Sequence, residues 1–143
     1  MKLRDFPAHL ASLTPADWKP LLDLIPEIEK TTIFEVEDDR TVFQDGDRII
    51  YPCSEIELVS SFRDAAYATG IVIDFDWPGW DEGRKLASGS LEAIDKLDLI
   101  TLCKLVTAII RNDRFCDGEL VSCFESGLMQ RVLRAIRKIV QNS

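Results

Sequence analysis

Asp98-Leu99-Ile100-Thr101-Leu102-Cys103-Lys104-Leu105-Val106-Thr107-Ala108-Ile109-Ile110-Arg111-Asn112 is the stretch on which the fold turns. Asp98 offers an N-cap, and the apolar positions Leu99, Ile100, Leu102, Cys103, Leu105, Val106, Ile109 and Ile110 then cover most of a helical circumference. Only Thr101, Lys104, Thr107 and Arg111 form a polar stripe. A helix apolar nearly all round has to be covered on most sides, so it belongs in the middle of the molecule.

Beyond it, Asp117 is expected to cap a helix running to Ser126, with Gly127 closing it. Leu128 to Gln141 then forms a last, amphipathic helix. Met129, Val132, Leu133, Ile136, Ile139 and Val140 lie on one face, and Arg131, Arg134, Arg137 and Lys138 on the other. Before the central stretch, Asp81 to Ser88 and Ser90 to Lys96 read as short helical turns. Ser54 to Thr69 reads as a helix, with Ser54 and Glu57 as a capping box and Gly70 in the left-handed position past its end. Ile71 to Phe75 is a short extended segment entering Asp76-Trp77-Pro78-Gly79-Trp80, where Pro-Gly forces a turn.

Nearer the N-terminus, Thr14-Pro15-Ala16-Asp17 starts a helix that Pro26 kinks or ends. Thr31 to Glu37 alternates like a strand. Asp45-Gly46, between Thr41-Val42-Phe43 and Ile49-Ile50-Tyr51, is a hairpin signal. The expected class is therefore α+β: one domain over residues 1–143, mainly a bundle of about five helices, carrying a small antiparallel sheet or hairpin near the N-terminus.

With 143 residues and 46% of them apolar, the chain can bury one continuous core. No stretch approaches the roughly 18 apolar residues of a membrane span. Asp5, Pro7 and His9 interrupt any signal-peptide core, so a cytoplasmic location is expected. Cys53, Cys103, Cys116 and Cys123 contain no Cys-x-x-Cys pair and read as reduced structural thiols. With His9 as the sole histidine, no metal site and no cofactor are expected. The net charge of −8 is uneven. Residues 1–60 carry 6 basic and 13 acidic groups, residues 61–95 carry 3 and 7, and residues 96–143 carry 8 and 5. The first two thirds would repel nucleic acid, which only the last third could tolerate.

Phe75-Asp76-Trp77-Pro78-Gly79-Trp80 and Leu105-Val106-Thr107-Ala108-Ile109-Ile110-Arg111-Asn112-Asp113-Arg114-Phe115 carry a family resemblance, extended by Gly118 and Glu125-Ser126-Gly127-Leu128. In these motifs the chain resembles a bacterial family known as a domain of unknown function, from about Tyr51-Pro52 to Lys138 and more weakly before. The resemblance implies a bacterial or phage origin and a small stand-alone protein. It implies no activity, ligand or catalytic residue.

The candidate binding residues are Asp74, Asp76, Trp77, Trp80, Arg111 and Arg114. Asp74, Asp76, Asp81 and Glu82 crowd the tryptophan loop and could hold a cation through oxygen, although their spacing matches no calcium loop. Alternation instead turns Phe75 and Trp77 inward and the two aspartates outward; an aromatic patch for a partner is a further reading. Arg111 and Arg114 either clamp an anion or tie the loop to the helix end through Asp74 or Asp76, with Phe115 plugging the core. If that tie is buried, Asp76→Asn should cost a few kcal/mol. The basic stripe of the last helix reads as a solvated face, a phosphate-backbone contact, or a surface for an acidic partner or the protein's own acidic half. No catalytic residue is assigned: there is no nucleophile elbow, phosphate loop or dinucleotide fingerprint. The function is unknown from sequence. A non-enzymatic interaction module, binding a protein partner or itself, leads. A small carboxylate/arginine hydrolase or phosphoryl-handling enzyme, and a nucleic-acid-associated protein using the C-terminal helix, are the alternatives.

Overall fold

The computed structural model describes residues 2–36, 43–45, 48–50, 55–116 and 118–142. Eight α-helices run through them: α1 (Phe6–Ser12), α2 (Pro15–Leu22), α3 (Ile25–Lys30), α4 (Glu57–Thr69), α5 (Asp81–Ser88), α6 (Leu99–Asp113), α7 (Glu119–Glu125) and α8 (Leu128–Gln141). Of two 3-10 segments, Leu3–Asp5 precedes α1 and Leu91–Lys96 lies between α5 and α6. Among the described residues the architecture is helical apart from one short ribbon, which overturns the α+β expectation and its count of about five helices. Two three-residue strands, β1 (Phe43–Asp45) and β2 (Arg48–Ile50), pair with each other and, among the described residues, with no third strand. Such a ribbon makes no layer for helices to pack on. Phe43 pairs with Ile50, Gln44 with Ile49 and Asp45 with Arg48, antiparallel, where the hairpin signal lies; Thr41, Val42, Gly46 and Tyr51 lie outside the described residues.

The helix count rose because prolines and glycines start helices here as well as ending them. Pro26 sits in the first turn of α3, where its missing N–H costs nothing, so one expected helix becomes α2 and α3. In α2, Thr14 and Asp17 form a reciprocal capping box. The strand expected over Thr31 to Glu37 is corrected within residues 31–36, where there is one isolated bridge, Glu35 to Glu55. Phe34 is instead drawn into the core, its ring 5.0 Å from that of Phe124, which Phe62 meets edge-on at 5.2 Å. The Ser54–Glu57 capping box cannot be followed, since Ser54 lies outside the described residues; α4 opens at Glu57 after Ile56. Asp117, the expected cap of α7, lies outside them as well. Gly127, with φ of 88°, makes the left-handed turn into α8.

The central position of α6 stands. It packs against α5, α7 and α8, and Leu102, Cys103, Leu105, Val106, Ile109 and Ile110 are buried. Thr107, read as part of the polar stripe, is fully buried too. Its hydroxyl bonds the Ile71 carbonyl at 3.0 Å and the Cys103 carbonyl at 2.9 Å, and it accepts the Ile73 N–H at 3.1 Å. The residues Ile71 to Ile73 form no strand; this side chain bonds their backbone to α6, and their own side chains are buried in the same core. These residues deliver the chain to the tryptophan loop at a fixed height on the helix.

Candidate functional site

The tryptophan loop is shaped by its own backbone. Trp77 N–H bonds the Phe75 carbonyl at 2.8 Å, and Trp80 N–H bonds the Trp77 carbonyl at 3.2 Å. The Asp76 carboxylate accepts the Gly79 N–H at 3.2 Å, an aspartate-stabilised turn. Arg84, one turn into α5, donates to Asp81 at 2.7 Å and to the Pro78 carbonyl, strapping the loop to the helix that follows.

Trp80 then lies against Gly83: a Cβ on that glycine would stand 2.3 Å from the indole Cε3. Phe75 meets Trp80 edge-on at 5.6 Å, and the Lys104 ammonium sits 4.4 Å from the Trp80 ring centre and 5.1 Å from that of Phe75. This contact combines cation and ring attraction with burial of the lysine stem. Trp77 points elsewhere, its ring 6.0 Å from Phe115 and tilted by 35°.

Between this loop and α6 runs a groove of about 340 Å³, at the small end of ligand-site volumes, about 300–1,000 Å³. It is lined by Leu105, Ala108, Ile109 and Asn112 of α6, by Trp77 and Trp80 of the loop, and by Phe115 and Glu119. Phe115 does not plug the core, as the sequence suggested. It is 77% exposed, because α6 ends at Asp113 and the chain turns away over residues 114–116 before the buried face resumes at Leu120.

The six candidate residues therefore do not converge. Trp77 and Trp80 reach the groove. Asp74 and Arg111 meet at 3.5 Å in a solvent-exposed pair, with the Arg111 guanidinium 6.0 Å from the Tyr67 ring centre. Arg114 donates to the Tyr67 hydroxyl at 3.4 Å. Asp76 serves the turn. Arg111 does reach Asp74, but the pair is open to water, so it fastens little. Among the described residues, no three His, Cys, Asp or Glu side chains are grouped to hold a metal ion.

The strong tie lies elsewhere and was missed. Arg63 of α4 forks onto Glu55, with one contact at 2.8 Å, and reaches Asp113 at 3.1 Å. Asp113 also accepts the Leu120 N–H at 3.0 Å, capping α7 from across the turn. Hydrogen bonding from Arg63 holds the Glu55 carboxyl below its usual range, and Glu55 in turn raises Arg63. Arg63 and Asp113 are 50 residues apart, and no local spacing announces such a pair. Of the basic stripe on α8, Arg131 makes a two-pronged bond to Asp95 at 2.9 and 2.6 Å, and Arg134 lies 3.7 Å from Glu29. The acidic part of the chain thus takes up half the stripe. Cys103, Cys116 and Cys123 are free thiols, and burial pushes the Cys123 thiol up to about 12.

A helical domain with an aromatic groove beside its central helix is the class these observations define. Residues 13–142 match a Family of unknown function (DUF6508), and the chain belongs to that family. No curated protein and no solved structure matches the chain. No helix among the described residues is long and apolar enough to cross a membrane.

Proposed function

We propose that the protein is a non-catalytic interaction module that holds a segment of a partner protein in the groove between the tryptophan loop and α6. One observation carries this reading. A phenylalanine 77% exposed stands beside a tryptophan in the lining of a largely apolar groove. Covering a side chain of that size is worth about 1.5–3 kcal/mol, and aromatic residues of this kind dominate binding energy where proteins meet. The enzymatic alternative needed Asp74, Asp76, Arg111 and Arg114 in one concave site; none of the four lines the groove. Against the nucleic-acid alternative stand the net charge of −8 and the fork of Arg131 onto Asp95, with Arg134 near Glu29. The compartment we favour is the cytosol, where buried free thiols stay reduced.

A photo-crosslinking residue at position 115 tests the docking reading, with a second at exposed Ser88 as control. Expected is one discrete adduct from position 115 that Ala87→Trp, which adds bulk from an exposed position on the groove wall, abolishes without changing the melting temperature. A self-adduct with a dimer in sedimentation would make the partner a second copy. Position 115 giving no adduct beyond the control, with only monomer at micromolar concentration, would remove the reading.

A further inference from the structure

Accepting the docking reading as its basis, we infer that the side chain admitted to the groove is an arginine of the partner segment. Aromatic faces carry negative potential and attract cations, guanidinium groups most often. The chain uses its rings this way: Lys104 covers Phe75 and Trp80, and the Arg111 guanidinium stands near Tyr67. Trp77 and Phe115 are aromatic residues of the same region over which no cation of the described residues sits, and both line the groove.

The charges of the lining point the same way. Its one cation among the described residues, Arg84, is taken by Asp81 and the Pro78 carbonyl. Its one carboxylate, Glu119, has no ion-pair partner among the described residues. The lining thus holds two aromatic rings with no cation of the described residues over them, a carboxylate in the first turn of α7 with no ion pair there, and the Asn112 amide. A guanidinium is planar, stacks on rings and presents a fork that matches a carboxylate, so arginine fits this set better than the compact, strongly hydrated ammonium of lysine. A neutral apolar side chain would match the apolar part of the lining but leave Glu119 desolvated without a partner, which opposes binding.

The test compares three short capped peptides that differ at one position, Ala-Arg-Ala, Ala-citrulline-Ala and Ala-norleucine-Ala, against the whole protein. Binding is read from the indole N–H resonances, with Trp77→Phe assigning the groove signal. Citrulline keeps the shape of arginine and removes its charge. Expected is an arginine preference over citrulline of at least about three- to fivefold, the range a single exposed cation–ring contact supports. The preference should shrink with added salt and in Glu119→Gln. Citrulline or norleucine binding as tightly as arginine would overturn the inference and leave the docking reading intact. So would a crosslink from position 115 in a protein to which no peptide binds. Failure of both peptides and crosslink removes the docking reading itself.

Discussion

Thr107 and Gly83 each decide more of this molecule than their size suggests. Thr107 places a hydroxyl inside the core, where it replaces the strand partner that Ile71 to Ile73 lack. Thr107→Val keeps the volume but leaves the buried Ile73 N–H without its acceptor, a loss of about 1–3 kcal/mol. Thr107→Ser keeps the hydroxyl and gives up one methyl group, about 1 kcal/mol. Urea titrations of the two variants should therefore show valine the more damaging; a valine variant as stable as the native chain would mean the hydroxyl contributes nothing. At Gly83 the constraint is contact: a methyl group would overlap the six-membered ring of Trp80. Gly83→Ala should cost about 1–3 kcal/mol and shift the tryptophan emission, whereas an unchanged spectrum would show that the ring has room to yield. By contrast, Asp76→Asn should stay within about 0.5 kcal/mol, since the exposed side chain meets a turn amide and no arginine.

Between elements, the junction of α4, α6 and α7 depends on Arg63, Glu55 and Asp113. Glu55 has a lower pKa folded than its ordinary value of 4.5. The unfolded chain therefore takes up the proton first as pH falls, and the stabilisation is complete above about 4.5 and lost on descending through the lower folded value. Denaturant melts between pH 7 and pH 3 should show a steeper acid loss for the native chain than for Glu55→Gln. Parallel curves would mean the Arg63 fork holds no proton-linked stability. Elements were legible in the sequence where pattern is local. The Asp98 cap, the apolar run to Ile110 and the two-faced Leu128–Gln141 helix are all dictated within a few turns. Thr31 to Val36 misled because alternating, branched residues fit an extended loop that buries only Phe34 as well as they fit a strand. Propensity there states what the backbone tolerates, and pairing decides the rest.

For the molecule as a whole, charge separates along the chain but is rejoined in space. The acidic first part and the basic last part meet at Glu29–Arg134 and Asp95–Arg131. An overall charge of −8 with these arginines engaged leaves little to draw a phosphate backbone. Gel shifts with duplex DNA or RNA at low salt should show no complex, and a salt-sensitive complex would reopen that function. The candidate site was half legible. Trp77 and Trp80 stand out in any reading of a turn with two tryptophans, but the groove also needs Phe115, whose place depends on where α6 stops and α7 resumes, a tertiary outcome. Asp74, Asp76, Arg111 and Arg114 looked like a constellation because they neighbour the aromatics in sequence; the turn and the helix end send them to other faces.

Gly127 separates two quantities that most glycines confound. Its φ of 88° is a torsion that an L-amino acid resists, yet an added methyl group there would meet no atom within 4 Å beyond its two chain neighbours. Alanine at this joint would consequently pay for handedness alone, about 1–2 kcal/mol. The bend between α7 and α8 thus offers a gauge of backbone chirality, read against an empty background.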